Sequence, residues 1–147
     1  MDEQPVRSVE TAALWIAYVE HGPTNGWPVV LSHGFPYDVH AFDEVASILA
    51  RAGARVIAPY TRGFGPTRFI SDDVMRSGQQ AARGCDIVQL ADALGLERPI
   101  LGGFDWGGNA SCVGGSAVAR TSWRPGLIRG LRRDRCGSTT ASRRTLA

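Results

Sequence analysis

The chain has 147 residues, of which 44% are hydrophobic, so it forms one domain at most with a modest core. No apolar run reaches the length of a membrane span, and the acidic, polar start is unlike a signal peptide. Three widely spaced cysteines without a C-x-x-C pair predict reduced thiols, not disulfides or a metal site. We therefore expect a cytoplasmic protein with no metal, no cofactor and no membrane association.

The net charge of +2 is unevenly distributed, and every basic residue is an arginine. Residues 1–113 carry eight arginines and thirteen acidic residues, whereas residues 114–147 carry eight arginines and one aspartate. A basic arm of this kind permits nucleic-acid binding on charge alone. No G-x-G-x-x-G or Walker loop follows a strand, so the sequence gives no support to nucleotide binding.

Hydrophobic periodicity and Gly/Pro punctuation predict alternating strands and helices along the first two thirds of the chain. The predicted strands are residues 12–21, 29–32, 54–59 and 99–103, and the predicted helices are residues 42–52 and 73–96. Strands that alternate with helices are typical of a parallel sheet covered by helices. The fold class is therefore α/β.

The last predicted strand leads into Gly103-Phe-Asp-Trp-Gly-Gly108. Glycines at 103, 107 and 108 flank Asp105 where side chains would block the close approach of strand, turn and helix. The pattern G-x-D-x-G-G has the shape of a nucleophile elbow, with aspartate where serine usually stands. The alternative is that Asp105 is an ordinary helix N-cap, because Asp is common at that position.

Three motifs occur in order after three predicted strands, namely His33-Gly-Phe-Pro36, Arg62-Gly-Phe-Gly-Pro-Thr67 and Gly103–Gly108. Together they resemble the α/β-hydrolase superfamily, and most closely its aspartate-nucleophile branch of epoxide hydrolases and haloalkane dehalogenases. The resemblance covers roughly residues 8–113. It implies the N-terminal part of an α/β-hydrolase fold, with a mostly parallel sheet and flanking helices, truncated after the nucleophile elbow.

The resemblance also implies roles for three residues. Asp105 corresponds to the nucleophile, and the backbone N–H groups of Phe35 and Trp106 correspond to the oxyanion hole. In such a mechanism the carboxylate attacks a substrate carbon and displaces its leaving group, which forms an alkyl ester. A histidine-activated water then hydrolyses the ester, and the oxyanion hole stabilises this second step.

Other polar residues have structural interpretations. We expect His33 to satisfy local backbone groups in its turn and not to act as a base. Arg62 is expected to anchor its loop to a carboxylate. His21 and His40 have no partner motif, which indicates exposed or structural positions.

The family's catalytic acid and histidine lie after strands that this chain does not contain. We therefore expect an epoxide-hydrolase-type chain that is inactive as it stands, with a small epoxide or halogenated compound as substrate of the full-length relative. H-G-F-P favours an epoxide hydrolase, because haloalkane dehalogenases commonly place Asn at the third position. The alternatives are a haloalkane or haloacetate dehalogenase, and a non-catalytic hydrolase-fold fragment or binding protein.

Residues 114–147 have no sustained period and are rich in Gly, Ser, Thr and Arg. Codons for residues 115–132, read one base later, permit AALWPERRGGLVSSAGYD, which resembles the rest of an elbow helix, a turn and the next strand of the family. We therefore predict residues 1–113 as the hydrolase core and residues 114–147 as a frameshifted, disordered tail. This makes nucleic-acid binding by the tail an unfavoured interpretation.

Overall fold

The computed structural model describes residues 4–121, in which six strands and three α-helices form one layered unit. The strands are β1 (Arg7–Glu10), β2 (Leu14–His21), β3 (Trp27–Ser32), β4 (Ala54–Pro59), β5 (Arg68–Phe69) and β6 (Ile100–Gly103). The helices are α1 (Asp43–Arg51), α2 (Gln80–Ala93) and α3 (Asp105–Thr121), and a 3₁₀ turn (Val39–Phe42) precedes α1.

The sheet is mixed, with strand order β1-β2-β4-β3-β6 and β5 paired to β2. β3 is parallel to both β4 and β6, so Val30 lies between Ile57 and Leu101. β1, β4 and β5 are antiparallel to β2. The parallel arrangement expected from the sequence therefore describes the β4-β3-β6 half, and the first strands make the remainder antiparallel.

Two core clusters cover the two faces of the sheet, because neighbouring residues of a strand point to opposite faces. Val30 contributes to one face and Val29 to the other. The first cluster joins the sheet to α2 and α3 through Leu14, Ile16, Tyr18, Val30, Ile57, Ile87, Leu90 and Ala110. The second joins it to the region of α1 through Val29, Leu31, Phe42, Ala46, Ala54 and Val56.

Helix α2 begins at Gln80 and not at residue 73, as the periodicity predicted. The preceding residues form turns whose carbonyl groups bind arginine side chains. Arg62 donates to the carbonyl of Ser77 at 2.7 Å, and Arg83 donates to the carbonyl of Gly78 at 2.8 Å. These side-chain contacts, one from Arg62 in another loop and one from Arg83 in α2 itself, replace the helical hydrogen bonds that the apolar pattern alone suggested.

Helices α2 and α3 approach closely where Gly84 faces Gly114. A Cβ on Gly84 would lie 2.5 Å from Cγ1 of Val113, and a Cβ on Gly114 would lie 3.2 Å from the Gly84 carbonyl oxygen. Gly114 is buried, and α3 continues to Thr121, so the first residues of the predicted tail are helical. Residues 122–147, which include most of that tail, lie outside the described residues.

Two cysteines lie in the described part of the chain. Cys112 is a free, exposed thiol, as expected. Cys85 is disulfide-bonded, so the expectation of reduced thiols is wrong there. Spacing along the sequence does not report how close two sulfur atoms come in the fold.

Within residues 4–121, no helix is long and apolar enough to cross a membrane.

Candidate active site

The three sequence motifs meet at one edge of the sheet because they follow adjacent parallel strands. Ser32 at the end of β3 pairs with Gly103 at the end of β6, and β4 lies on the other side of β3. The carboxyl ends of parallel strands lie at the same edge, which is where open α/β sheets bind ligands. The loop after β3 therefore lies beside the turn between β6 and α3.

Asp105 occupies the sharp turn between β6 and α3, with a φ of 50°. This left-handed conformation is disfavoured for a residue with a Cβ and is maintained only by its surroundings. A Cβ on Gly103 would lie 2.5 Å from the Ser32 carbonyl oxygen, and one on Gly107 would overlap the same atom. The close approach predicted for these two glycines is confirmed, whereas Gly108 has more room, with 3.3 Å to the nearest atom.

The Asp105 carboxylate faces the loop after β3. The backbone N–H of Phe35 donates to Oδ2 of Asp105 at 3.0 Å. Backbone N–H groups of Trp106 and then Phe35 hold the pKa of the Asp105 carboxyl below its usual range, and the charge of Arg83 adds to this effect. The structure thus brings the three residues singled out in the sequence to one place.

The N-cap interpretation of Asp105 does not describe this turn. Helix α3 begins at Asp105 itself, and the N–H groups of Gly107 and Gly108 donate to the carbonyl of Phe104 at 2.9 and 3.1 Å. The Asp105 side chain instead accepts from Phe35, which is 70 residues earlier in the chain. The carboxylate therefore belongs to a contact between two loops and not to a cap of its own helix.

His33 is buried in the same region but is engaged by the backbone. Its Nε2 accepts from the N–H of Thr61 at 3.2 Å, so Nδ1 carries the proton and donates to the carbonyl of Gly34 at 3.2 Å. Burial lowers the pKa of the His33 imidazole, although the Gly34 carbonyl and the charge of Asp38 oppose the shift. The expected role in the turn is confirmed, and the ring is neutral.

Arg62 holds the loop after β4 against α2. Its Nε and Nη2 donate to the two carboxylate oxygens of Asp86 at 2.7 and 2.6 Å, and both side chains are about nine-tenths buried. Further bonds reach the carbonyl groups of Ser77 and Ala82. The predicted anchoring of this loop by a carboxylate is confirmed.

The three histidines of the chain all lie in the described part, and none hydrogen-bonds Asp105. His40 is exposed and its Nδ1 lies 3.2 Å from Oδ2 of Asp43, while His21 ends β2 opposite Val56. Within residues 4–121 there is also no group of His, Cys, Asp and Glu side chains that could hold a metal ion.

Aromatic side chains of the loop after β3 and of the β6–α3 turn pack in two pairs. The Phe35 and Trp106 rings are 5.8 Å apart, and both are substantially exposed, at 61% and 45%. Tyr37 and Phe104 add an edge-to-face pair at 5.7 Å. The sequence motifs contain Phe35, Phe104 and Trp106, and Tyr37 directly follows the first motif, but only the fold shows how these rings pair.

Arg83 is a neighbour of the site that sequence reasoning missed. Its guanidinium lies over the Trp106 ring, 4.4 Å from the centroid. The residue lies in the first turn of α2, in a stretch whose apolar pattern indicated only a packed helix. No signal in the sequence linked it to the β6–α3 turn.

A family model described as the alpha/beta hydrolase fold matches residues 28–113, which include all three motifs. The chain belongs to the α/β-hydrolase family. It is a short N-terminal part of the fold, in the branch that contains epoxide hydrolases and haloalkane dehalogenases.

Two curated relatives and one solved structure illustrate this similarity. The chain is 34% identical to epoxide hydrolase A of Mycobacterium tuberculosis over 105 residues, which cover 69% of this chain and 31% of the relative. It is 30% identical to a haloalkane dehalogenase of Mycobacterium marinum over 123 residues, which cover 78% of this chain and 39% of the relative. A provisionally assigned epoxide hydrolase of Klebsiella pneumoniae superposes with a TM-score of 0.70 at 46% identity, covering 72% of this chain and 35% of that one. The chain therefore spans about a third of the length of its relatives.

Proposed function

We propose that this chain carries the nucleophile and oxyanion-binding part of an epoxide-hydrolase-type site. The observation that supports it is the contact between the Phe35 N–H and Oδ2 of Asp105, in a turn whose φ of 50° is maintained by close packing. A carboxylate presented on a sharp turn is accessible to a substrate carbon. Backbone N–H groups beside it stabilise negative charge on the oxygen that they contact.

The contact to Phe35 assigns different roles to the two carboxylate oxygens. Oδ2 is bound by the Phe35 N–H, so Oδ1 is the atom that attacks an epoxide carbon. The Oδ1–C bond forms, the C–O bond of the ring breaks, and the released alkoxide takes a proton from water. Oδ2 then becomes the carbonyl oxygen of the ester, where Phe35 and Trp106 can stabilise the oxyanion of a later hydrolysis.

The surroundings of Asp105 favour a small, apolar substrate. Phe35 and Trp106, which flank the contact with the carboxylate, present exposed ring surface, and Tyr37 is also exposed. Relatives named epoxide hydrolase make an epoxide the first candidate. Relatives named haloalkane dehalogenase make a haloalkane the second, because the same displacement by Oδ1 would expel halide instead of opening a ring.

The chain is proposed to complete the first step only. Hydrolysis of an alkyl ester depends on a base within hydrogen-bond reach of the attacking water. His33 is occupied by Thr61 and Gly34, and neither His21 nor His40 hydrogen-bonds Asp105. The ester would therefore persist.

We also propose that residues 114–147 are the out-of-frame remainder of a longer hydrolase.

Intact-mass spectrometry with styrene oxide tests this proposal on the 147-residue chain carrying Cys112→Ser, because epoxides also alkylate an exposed thiol. We expect one adduct per chain, no sustained formation of diol, and loss of the adduct in Asp105→Asn. A parallel incubation with 1-bromohexane tests the dehalogenase alternative by alkylation and bromide release. A folded chain that forms no adduct with either reagent would favour a non-catalytic fragment or binding protein. Sustained diol formation that Asp105→Asn abolishes would contradict the single-turnover proposal.

A further inference from the structure

Arg83 combines three features beside the β6–α3 turn. Its guanidinium carbon lies 4.4 Å from the centroid of the Trp106 ring, within the range of a cation–π contact. Nη2 donates to the carbonyl of Gly78 at 2.8 Å. Nε and Nη1 are buried, and within the described residues neither has a hydrogen-bond partner. Buried guanidinium nitrogens with unused donors are unusual, because buried polar groups are normally paired.

The other titratable groups near the turn have hydrogen-bond partners of their own. On the loop after β4, Arg62 donates to both oxygens of Asp86, which lies on α2 with Arg83. On the loop after β3, His33 is held neutral and Asp38 accepts from the N–H of His40. Arg83 forms no ion pair within residues 4–121, although its charge acts on the carboxylates of Asp86 and Asp105.

We propose that Arg83 is a positioning residue for the nucleophile, because its guanidinium fixes the ring of Trp106 and leaves a net positive charge beside Asp105. The inference rests on the proposed function in so far as Asp105 is taken as the nucleophile. Trp106 directly follows Asp105, so a ring held in place also fixes the peptide N–H that faces the carboxylate. The charge adds to the preference of Asp105 for its ionised form, which is the form that attacks a substrate carbon.

The pKa of the Asp105 carboxyl is consistent with a positive charge nearby. The Arg83 charge contributes to holding the pKa of Asp105 below its usual range, after the N–H groups of Trp106 and Phe35. The same charge reaches Asp86, but Arg62 already occupies both oxygens of that carboxylate. Removing the Arg83 charge is therefore expected to change the pKa of Asp105 more clearly than that of Asp86.

Three variants separate charge, stacking and general packing. Arg83→Met removes the charge but keeps an apolar chain, and Arg83→Lys keeps the charge but loses the planar group. Arg76→Met is the matched control, because the Arg76 guanidinium also stacks on an aromatic ring, that of Phe69, at 4.3 Å. Circular dichroism verifies that each variant is folded over the pH range used.

The first readout is the pKa of the Asp105 carboxyl, measured by carbon-13 NMR titration and assigned with Asp105→Asn. We expect Arg83→Met to raise this pKa, because an opposite charge nearby favours the ionised form. Arg83→Lys and Arg76→Met should leave the pKa of Asp105 at its value in the parent chain. An unchanged pKa in Arg83→Met would overturn the electrostatic part of the proposal.

The second readout is the fluorine-19 resonance of Trp106 in chain labelled with 5-fluorotryptophan, assigned with Trp106→Phe. We expect Arg83→Lys and Arg83→Met to shift or broaden this resonance, and Arg76→Met to leave it in place. An unaltered resonance in both Arg83 variants would overturn the positioning of the ring. Neither readout needs alkylation of Asp105, so failure of styrene oxide to react would count against the proposed function alone.

Discussion

Phe35 and Asp105 are 70 residues apart in the chain, yet the N–H of one lies 3.0 Å from Oδ2 of the other. The contact joins the turn after β3 to the turn after β6, which are neighbours because these strands pair in parallel. Gly34 makes the approach possible, since a Cβ there would lie 2.6 Å from Cβ of Asp105 and 2.8 Å from its Oδ2. Because Gly34 has no side chain, the Asp105 carboxylate can reach the Phe35 N–H.

Gly34→Ala should displace the Asp105 carboxylate from the Phe35 N–H. We expect the rate of alkylation by styrene oxide to fall at least about tenfold, because misplacing a reacting group by about 1 Å can cost a rate factor of that size or more. Intact-mass time courses measure the rate. Gly78→Ala is the control, since nothing lies within 4 Å of a Cβ at that position. Equal rates in the two variants would contradict the role of Gly34.

Much of this arrangement could be predicted from the sequence, because glycines and motif residues carry local signals. Gly103 and Gly107 lie where backbone segments nearly touch, and His33 and Arg62 have the structural partners expected of them. The ends of β4 and β6 also agree closely with the predicted strands.

The features that were missed depend on tertiary contacts. β1 and β5 are short strands without a strong apolar pattern, and their pairing with β2 makes the sheet mixed. The start of α2 is set by carbonyl groups that bind Arg62 and Arg83. Arg83 itself reaches Trp106 only because α2 and α3 cross closely at Gly84. Local propensity carries no information about such distant partners.

Asp86→Asn should destabilise the fold strongly, because it leaves the buried guanidinium of Arg62 without its counter-charge. Breaking a buried ion pair on one side costs about 3–5 kcal/mol of unfolding free energy. Urea denaturation followed by circular dichroism measures this loss. The control is Asp72→Asn, whose fully exposed carboxylate pairs with Arg76 and should contribute less than about 1 kcal/mol. A cost at Asp86 no larger than at Asp72 would contradict the anchoring role of Arg62.

His33 should make the fold less stable in mild acid. Burial lowers the pKa of His33 in the folded state. Between the folded-state and unfolded-state pKa values, the unfolded chain therefore binds a proton at His33 that the folded chain does not bind. The stability is complete above the unfolded-state pKa of about 6.5 and declines as the pH falls below it, by at most about 1.4 kcal/mol per pH unit.

Urea unfolding at pH 7.5 and at pH 5.5 measures this dependence. His33→Asn should reduce the difference in unfolding free energy between the two pH values, whereas His40→Gln, at an exposed site, should preserve it. If the parent chain and His33→Asn lost the same free energy between the two pH values, the assignment of the pH dependence to His33 would be wrong.

The proposed frameshift makes a prediction at the level of the gene. Sequencing around codons 110–118, with comparison to close relatives, should reveal an inserted or deleted base. Restoring the alternative frame should yield a longer protein that converts styrene oxide to diol with repeated turnover. If the restored frame met an early stop codon, or encoded a protein without turnover, the proposed origin of the tail would be refuted.

The most direct measurement of the central claim is the location of the adduct left by styrene oxide on the 147-residue chain. Trypsin does not cleave before Pro99, so Asp105 is found in the peptide Gly84–Arg120 together with Asp86, Asp92 and Glu97. Fragmentation of this peptide distinguishes the four carboxylates. The proposed geometry predicts one ester per chain, on Asp105, and none in Asp105→Asn. Esters spread over several carboxylates at rates that Asp105→Asn does not change would contradict the assignment of Asp105 as the nucleophile.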